Sequence, residues 1–178
     1  PTQIICVSFV VVIALGTLLL SLPLASRHGR LGLVDAMFTA TSATCVTGLI
    51  VRDTWTQFSV FGQVVILLLI QIGGLGLVTL TSFFALAMRR RMGFRDLRVL
   101  GESVSADGYD QAKNVLKIVI GLAALFEGLG IVLLLFAFVP QFGAEGIWVS
   151  IFTAISAFCN AGFDLFGRFG QYSSLVPY

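Results

Sequence analysis

The sequence predicts an all-α membrane protein built from repeated helix–loop–helix modules whose loops carry re-entrant helices. Three observations predict it. First, only 11% of the 178 residues are charged while 57% are hydrophobic, and mean hydropathy is +0.99; a soluble domain carries about 25% charged residues. Second, the charges cluster, with none before Arg27 and none between Asp53 and Arg89. Third, two short apolar stretches rich in Ser, Thr, Ala and Gly repeat each other between the long uncharged runs.

The first run, Ile4 to Leu24, is uncharged. As a helix it covers about 32 Å, enough to cross the hydrocarbon core. Pro23 and the cluster Ser26-Arg27-His28-Gly29-Arg30 end it. It has no basic leader, and its length exceeds that of a signal-peptide core; with Pro1 in place of Met, the chain is expected to start after its natural beginning. The second run, Phe58 to Met88, is longer than one perpendicular crossing needs, and Arg89-Arg90-Arg91 stops it. The third, Ile118 to Val139, contains one charge, Glu127, and is expected to end at Pro140.

The short stretches, Val34 to Leu49 and Trp148 to Phe163, are too short to cross comfortably and read as re-entrant or interfacial segments. Residues 37–49 (MFTATSATCVTGL) and 151–163 (IFTAISAFCNAGF) align without a gap. They share Phe38/Phe152, Thr39/Thr153, Ala40/Ala154, Ser42/Ser156, Ala43/Ala157, Cys45/Cys159 and Gly48/Gly162. Two crossings separate the copies, so both return to the same face, as in parallel repeats about an axis along the membrane normal. The boundaries that follow are a first repeat over 1–88 (spans about 4–24 and 58–88, loop 34–49), a linker with the start of the third helix over 89–117, and an incomplete second repeat over 118–178 (span about 118–139, loop 148–163, outer loop 164–178).

Lys and Arg set the orientation. Residues 89–117 hold Arg89, Arg90, Arg91, Arg95, Arg98, Lys113 and Lys117, against three basic residues over 27–52 and Arg168 alone beyond them. The positive-inside rule puts 89–117, and with it the N-terminus, in the cytoplasm. Both loops then lie on the outer side.

Asp35 suits the start of a loop helix. Such a helix points its partially negative C-terminal end into the membrane, where it favours a cation. The segments that follow, Cys45-Val46-Thr47-Gly48 and Cys159-Asn160-Ala161-Gly162, leave the helix, and their carbonyls need partners. At membrane depth such backbone is tolerated inside protein or lining a water-filled cavity, and a cation stripped of water supplies the missing partner. Glycine lets carbonyls turn toward an axis with no side chain in the way.

These motifs, SATCVTGL (Ser42–Leu49), QIGGLG (Gln71–Gly76) and SAFCNAGF (Ser156–Phe163), together resemble the Trk/Ktr/HKT superfamily of potassium transporters, in the order helix, pore loop, helix, helix, pore loop. The resemblance implies four helix–pore loop–helix repeats around one pore, of which this chain matches the first and most of the second. It is therefore expected to be a partial pore-forming subunit. Carried over by motif, Cys45, Val46, Thr47 and Gly48 match the first filter segment, and Cys159, Asn160, Ala161 and Gly162 the second, with potassium held by backbone carbonyls and no covalent cofactor. Glycine at 48 resembles the potassium-conducting members; sodium-selective plant relatives use serine there. The resemblance further implies a plasma-membrane location, in bacteria the inner membrane, with the lipid bilayer as surroundings. It also implies a homodimer of the full-length subunit and a cytoplasmic nucleotide-binding regulatory partner on the side of Arg89–Arg98. The family's gate and barrier arginine belong to later repeats.

Competing readings are weaker. Basic residues are not interleaved with aromatics on a polar face, which argues against nucleic acid. Cys6, Cys45 and Cys159 form no CxxC and sit in apolar surroundings, which argues against a disulfide framework or a zinc site; Cys45 and Cys159, with no His or acidic ligand beside them, read as small buried hydrophobes. Gly73-Gly74-Leu75-Gly76 lacks the acidic residue of a dinucleotide loop and reads as helix packing near the filter. Glu127 is an intramembrane carboxylate with no second acid or His in the spans for a proton relay; structural hydrogen bonding, to a pore helix, is expected. Asp164 and Arg168 are expected at the outer mouth. The only His, His28, lies in a polar loop, which argues against an intramembrane enzyme. The alternative function is a structural or assembly membrane subunit with re-entrant loops and no permeation path.

Overall fold

The computed structural model describes residues 2–90 and 104–168, with side chains over 6–76 and 117–167. Arg91, Arg95, Arg98, most of the linker and the end of the outer loop lie outside the described residues. The backbone is helical throughout and holds no strand among the described residues; a lone antiparallel bridge pairs Ser26 with Phe58. In chain order the helices are α1 (Thr2–Leu20), α2 (Leu33–Thr44), α3 (Thr54–Gln57), α4 (Val60–Arg90), α5 (Val104–Phe142) and α6 (Glu145–Phe158), with 3-10 turns at Pro23–Ala25 and Phe166–Arg168. Contacts divide the chain into two compact units, Pro1–Gly74 with Phe126–Tyr178, and Leu75–Leu125. The second takes in the C-terminal part of α4 and the N-terminal part of α5.

Local chemistry explains the helix ends and corrects two expected ones. α1 stops at Leu20, four residues before the expected limit. Ser21 Oγ turns back onto the Thr17 carbonyl at 2.7 Å, and Pro23, which has no N–H, opens a 3-10 turn. α5 does not end at Pro140 but carries it inside the last turn and runs to Phe142. A proline this near the end forfeits one backbone bond, and the chain turns at Gly143, whose φ is +63° and whose N–H reaches the Val139 carbonyl. α3 is capped by Asp53, whose Oδ1 accepts from Thr56 N at 2.6 Å. Ser59 Oγ accepts from Gly62 N at the start of α4 and donates to the Leu24 carbonyl at 2.6 Å, tying the α1 exit to the α4 entry.

In the first unit the usual distribution of side chains is inverted. Large apolar residues on α1 and α5 face outward, among them Val10, Leu18, Leu129, Leu133 and Phe136, the last 77% exposed. Polar residues face inward: Thr44, Gln63 and Ser150 are fully buried, and Glu127 is 9% exposed. A chain solvated by lipid has this order, because apolar side chains match the acyl medium while polar ones must find partners inside. Lys117–Phe142 is long and apolar enough to cross a membrane, and Cys6–Leu20 and Val60–Gly76 are shorter apolar helical stretches. α2 and α6, of 12 and 14 residues, rise about 18 and 21 Å, short of a bilayer core. α1 packs along α2, and Leu20, Ala40, Ile66, Ile70, Phe152 and Leu165 form one buried cluster between α1, α2, α4 and α6.

Candidate functional site

The ends of α2 and α6 are built alike. At the first, the N–H groups of Cys45, Val46 and Thr47 donate to the carbonyls of Thr41 (2.8 Å), Ala43 (3.3 Å) and Ser42 (3.0 Å). At the second, those of Cys159, Asn160 and Ala161 donate to Ile155 (3.0 Å), Ala157 (3.0 Å) and Ser156 (2.7 Å). Both are Schellman closures, which need a left-handed residue just past the cap. Val46 and Asn160 supply it, each at φ 56°, and Gly48 and Gly162 follow, each at φ 73°. The internal repeat is thus also a repeat of backbone geometry.

These closures satisfy the carbonyls of Thr41, Ser42 and Ala43 in α2 and of Ile155, Ser156 and Ala157 in α6. Among the described residues no donor reaches the carbonyls of Cys45, Val46, Thr47, Cys159 or Asn160. The two segments converge: a Cβ built on Gly48 would lie 2.7 Å from the Ala161 carbonyl oxygen and 3.3 Å from Gly162 Cα. Only a residue without a side chain fits there, and its positive φ makes the same demand. Helix C-termini carry partial negative charge, and two such ends approach each other here. A cation is the species this chemistry accommodates.

Each segment is fastened from behind. In the first, the Ser42 and Thr47 hydroxyls lie 3.0 Å apart. In the second, where Ala161 replaces Thr47, Ser156 Oγ donates instead to the Phe163 carbonyl at 2.6 Å, reaching past Gly162. α4 supports both: Gly73 lets the Thr44 carbonyl approach its backbone, and Gly74 does the same for the Cys159 side chain. The paired glycines of QIGGLG therefore seat one helix end each.

Cys45, the C-cap of α2, is exposed, contrary to its reading as a buried small hydrophobe. Cys159 is half-buried, with its thiol 3.9 Å from Gln71 Oε1. All three cysteines are free. Glu127 does form a hydrogen bond, but to α4: Gln71 Nε2 donates to its Oε1 at 2.8 Å, and the end of α6 is reached only through Gln71. Asp35, in the first turn of α2, pairs with Arg52 at 3.1 Å. Asp164 Oδ1 accepts from Phe166 N.

Sequence reasoning missed the roles of the two α4 glutamines. Gln63, fully buried, accepts from Trp148 Nε1 at 2.7 Å and donates to the Phe58 carbonyl at 3.1 Å. Gln63 and Gln71 thus bracket α6 near its two ends. Their signal was present: two glutamines eight residues apart in an otherwise apolar, uncharged run.

The whole chain, residues 1–178, matches the family model of TrkH, a cation transport protein. It is 40% identical over 169 residues to the potassium/sodium uptake protein NtpJ of Enterococcus hirae, covering 94% of this chain and 38% of that protein. It is 39% identical over 166 residues to the Ktr system potassium uptake protein B of Bacillus subtilis (93% and 37%), and 32% identical over 181 residues to that organism's Ktr system potassium uptake protein D (100% and 39%). The chain spans under two-fifths of the length of these relatives. It is a membrane protein that belongs to the TrkH family of cation transport proteins.

Proposed function

We propose that the chain contributes two of the filter segments of a potassium-transporting pore, Cys45-Val46-Thr47-Gly48 and Cys159-Asn160-Ala161-Gly162. The observation that carries the reading is the convergence of Gly48 on Ala161 and Gly162 at the ends of two helices with identical closures. Carbonyls without protein donors replace the hydration shell of a potassium ion, and the two helix C-termini add a favourable field. No covalent step is involved; potassium is the cargo, and selectivity comes from holding the carbonyls at fixed spacing. The relatives' names, which speak of potassium or of potassium and sodium, support this cargo.

The subunit works, in this reading, in the plasma membrane with its N-terminus in the cytoplasm, an orientation the basic residues of 89–117 support. The division into a first repeat over 1–88 and a second from 118 onward follows the matched α2 and α6 ends. A homodimer and a cytoplasmic nucleotide-binding partner belong to the same proposal, and the Ktr system names of the relatives are consistent with a multi-component assembly.

The test is potassium and sodium uptake by the full-length gene product in cells that lack potassium uptake. Gly48→Ser and Gly162→Ser are expected to lower the potassium-to-sodium uptake ratio. A side chain at φ 73° is strained in both, and at Gly48 it also meets the Ala161 carbonyl. Unchanged uptake and ratio in both variants would overturn the filter assignment.

A further inference from the structure

We infer that Gln71 is a positioning residue that fixes the second filter segment, and that Glu127 holds it in the orientation this requires. The inference rests on the reading of 159–162 as a filter segment and adds to it the groups that set its position.

The Glu127 carboxylate accepts hydrogen bonds, so the amide nitrogen of Gln71 must face it, as it does at 2.8 Å. That leaves Gln71 Oε1 turned the other way, 3.9 Å from the Cys159 thiol that donates to it. Cys159 is the C-cap of α6 and stands directly before Asn160, the left-handed residue that aims the segment. Gly74, nearly one turn beyond Gln71 on α4, holds the same thiol from a second side, since a Cβ there would lie 2.5 Å from Cys159 Sγ. The thiol therefore has a fixed seat, and Gln71 supplies its polar side.

Among the described residues the first segment has no such link. Cys45, at the equivalent cap, is exposed, and that segment is fastened by its own Ser42–Thr47 hydroxyl pair. Repeat two has Ala161 in place of Thr47 and cannot form that pair. The α5–α4–α6 chain Glu127–Gln71–Cys159 is the substitute. It couples the carbonyl spacing of one filter side to two membrane-crossing helices, so loosening it alters discrimination between ions before it alters the amount of protein made.

The experiment compares Gln71→Leu, Glu127→Gln, Cys159→Ala and Gly162→Ala in the full-length gene product, measuring membrane abundance and the potassium-to-sodium uptake ratio. Gln71→Leu is expected to lower the ratio about two- to threefold, since a thiol is a weak donor and its bond is worth the low end of the hydrogen-bond range. Cys159→Ala shifts it the same way by less. Glu127→Gln keeps it, because a glutamine carbonyl still accepts from Gln71. A purely structural role would reduce uptake of both ions together and leave the ratio fixed. Gln71→Leu at normal abundance with an unchanged ratio overturns the inference. If that variant fails to accumulate, Cys159→Ala decides: a lowered ratio supports the inference and an unchanged one overturns it. Gly162→Ala separates the two levels. If it changes the ratio while Gln71→Leu and Cys159→Ala do not, the positioning role fails and the filter stands; if all three leave the ratio unchanged, the filter reading fails.

Discussion

Val46 and Asn160 stand 114 positions apart and adopt one backbone conformation, φ 56°, each as the left-handed residue that closes a short helix. The two are unequal in chemistry. Asparagine tolerates this region, whereas for a β-branched residue it is an outlier. The strain of a left-handed L-residue is roughly 1–2 kcal/mol, and the first repeat carries more of it than the second.

Val46→Asn is therefore expected to stabilise the protein by about 1 kcal/mol. In the purified full-length protein the thermal unfolding midpoint should rise by about 2 °C. The converse, Asn160→Val, should lower it by a similar amount. Opposite signs at equivalent positions are the signature of backbone strain. Equal signs would mean that side-chain contacts dominate at both sites.

Gly73 and Gly74 face different atoms, so their alanine variants should differ in kind. At Gly73 the added methyl meets the Thr44 backbone carbonyl, which no side-chain change can remove. At Gly74 it meets chiefly the Cys159 thiol. Both variants are expected to reduce membrane abundance and uptake. Cys159→Ala should partly restore Gly74→Ala and leave Gly73→Ala unrepaired, measured as abundance and potassium uptake of the double variants. Rescue of both, or of neither, would contradict this assignment of contacts.

Much of this arrangement is legible in the sequence because it rests on local chemistry. The uncharged runs mark the long helices, and the aligned Cys-x-x-Gly endings mark where α2 and α6 stop, at Thr44 and Phe158. Asn160 even signals a left-handed residue, and the repeat transfers that signal to Val46, whose own chemistry argues against it. The partners of polar groups are different. Nothing local says that Glu127 meets Gln71 across 56 residues or that Trp148 meets Gln63 across 85, since those bonds depend on how helices dock. Cys45 and Cys159 are identical in the repeat yet differ in exposure for the same reason: Cys159 packs against Gly74 of α4, a contact set by helix docking.

The Asp35–Arg52 ion pair should matter little for stability. Its Arg52 side chain is 57% exposed, and exposed pairs contribute about 0–1 kcal/mol. Asp35→Asn is expected to leave the unfolding midpoint within about 1 °C of the parent. A drop of several degrees would show that the pair is shielded in the assembled protein and that α2 depends on it.

The Gln63–Trp148 bond, by contrast, lies in a place where an unmade partner is costly. Gln63 is fully buried, and its Oε1 accepts from Trp148 Nε1 at 2.7 Å. Trp148→Phe removes the donor and leaves the carbonyl oxygen stranded, at about 1–3 kcal/mol. Gln63→Met strands the indole N–H in turn, but Trp148 is only partly buried, so that loss is smaller. In the double variant neither group is left unpaired, and the two losses should not add. A double-mutant cycle on the unfolding midpoint or on denaturant resistance is expected to give a coupling of about 1 kcal/mol. Strict additivity would mean that the bond contributes nothing to holding the start of α6 against α4.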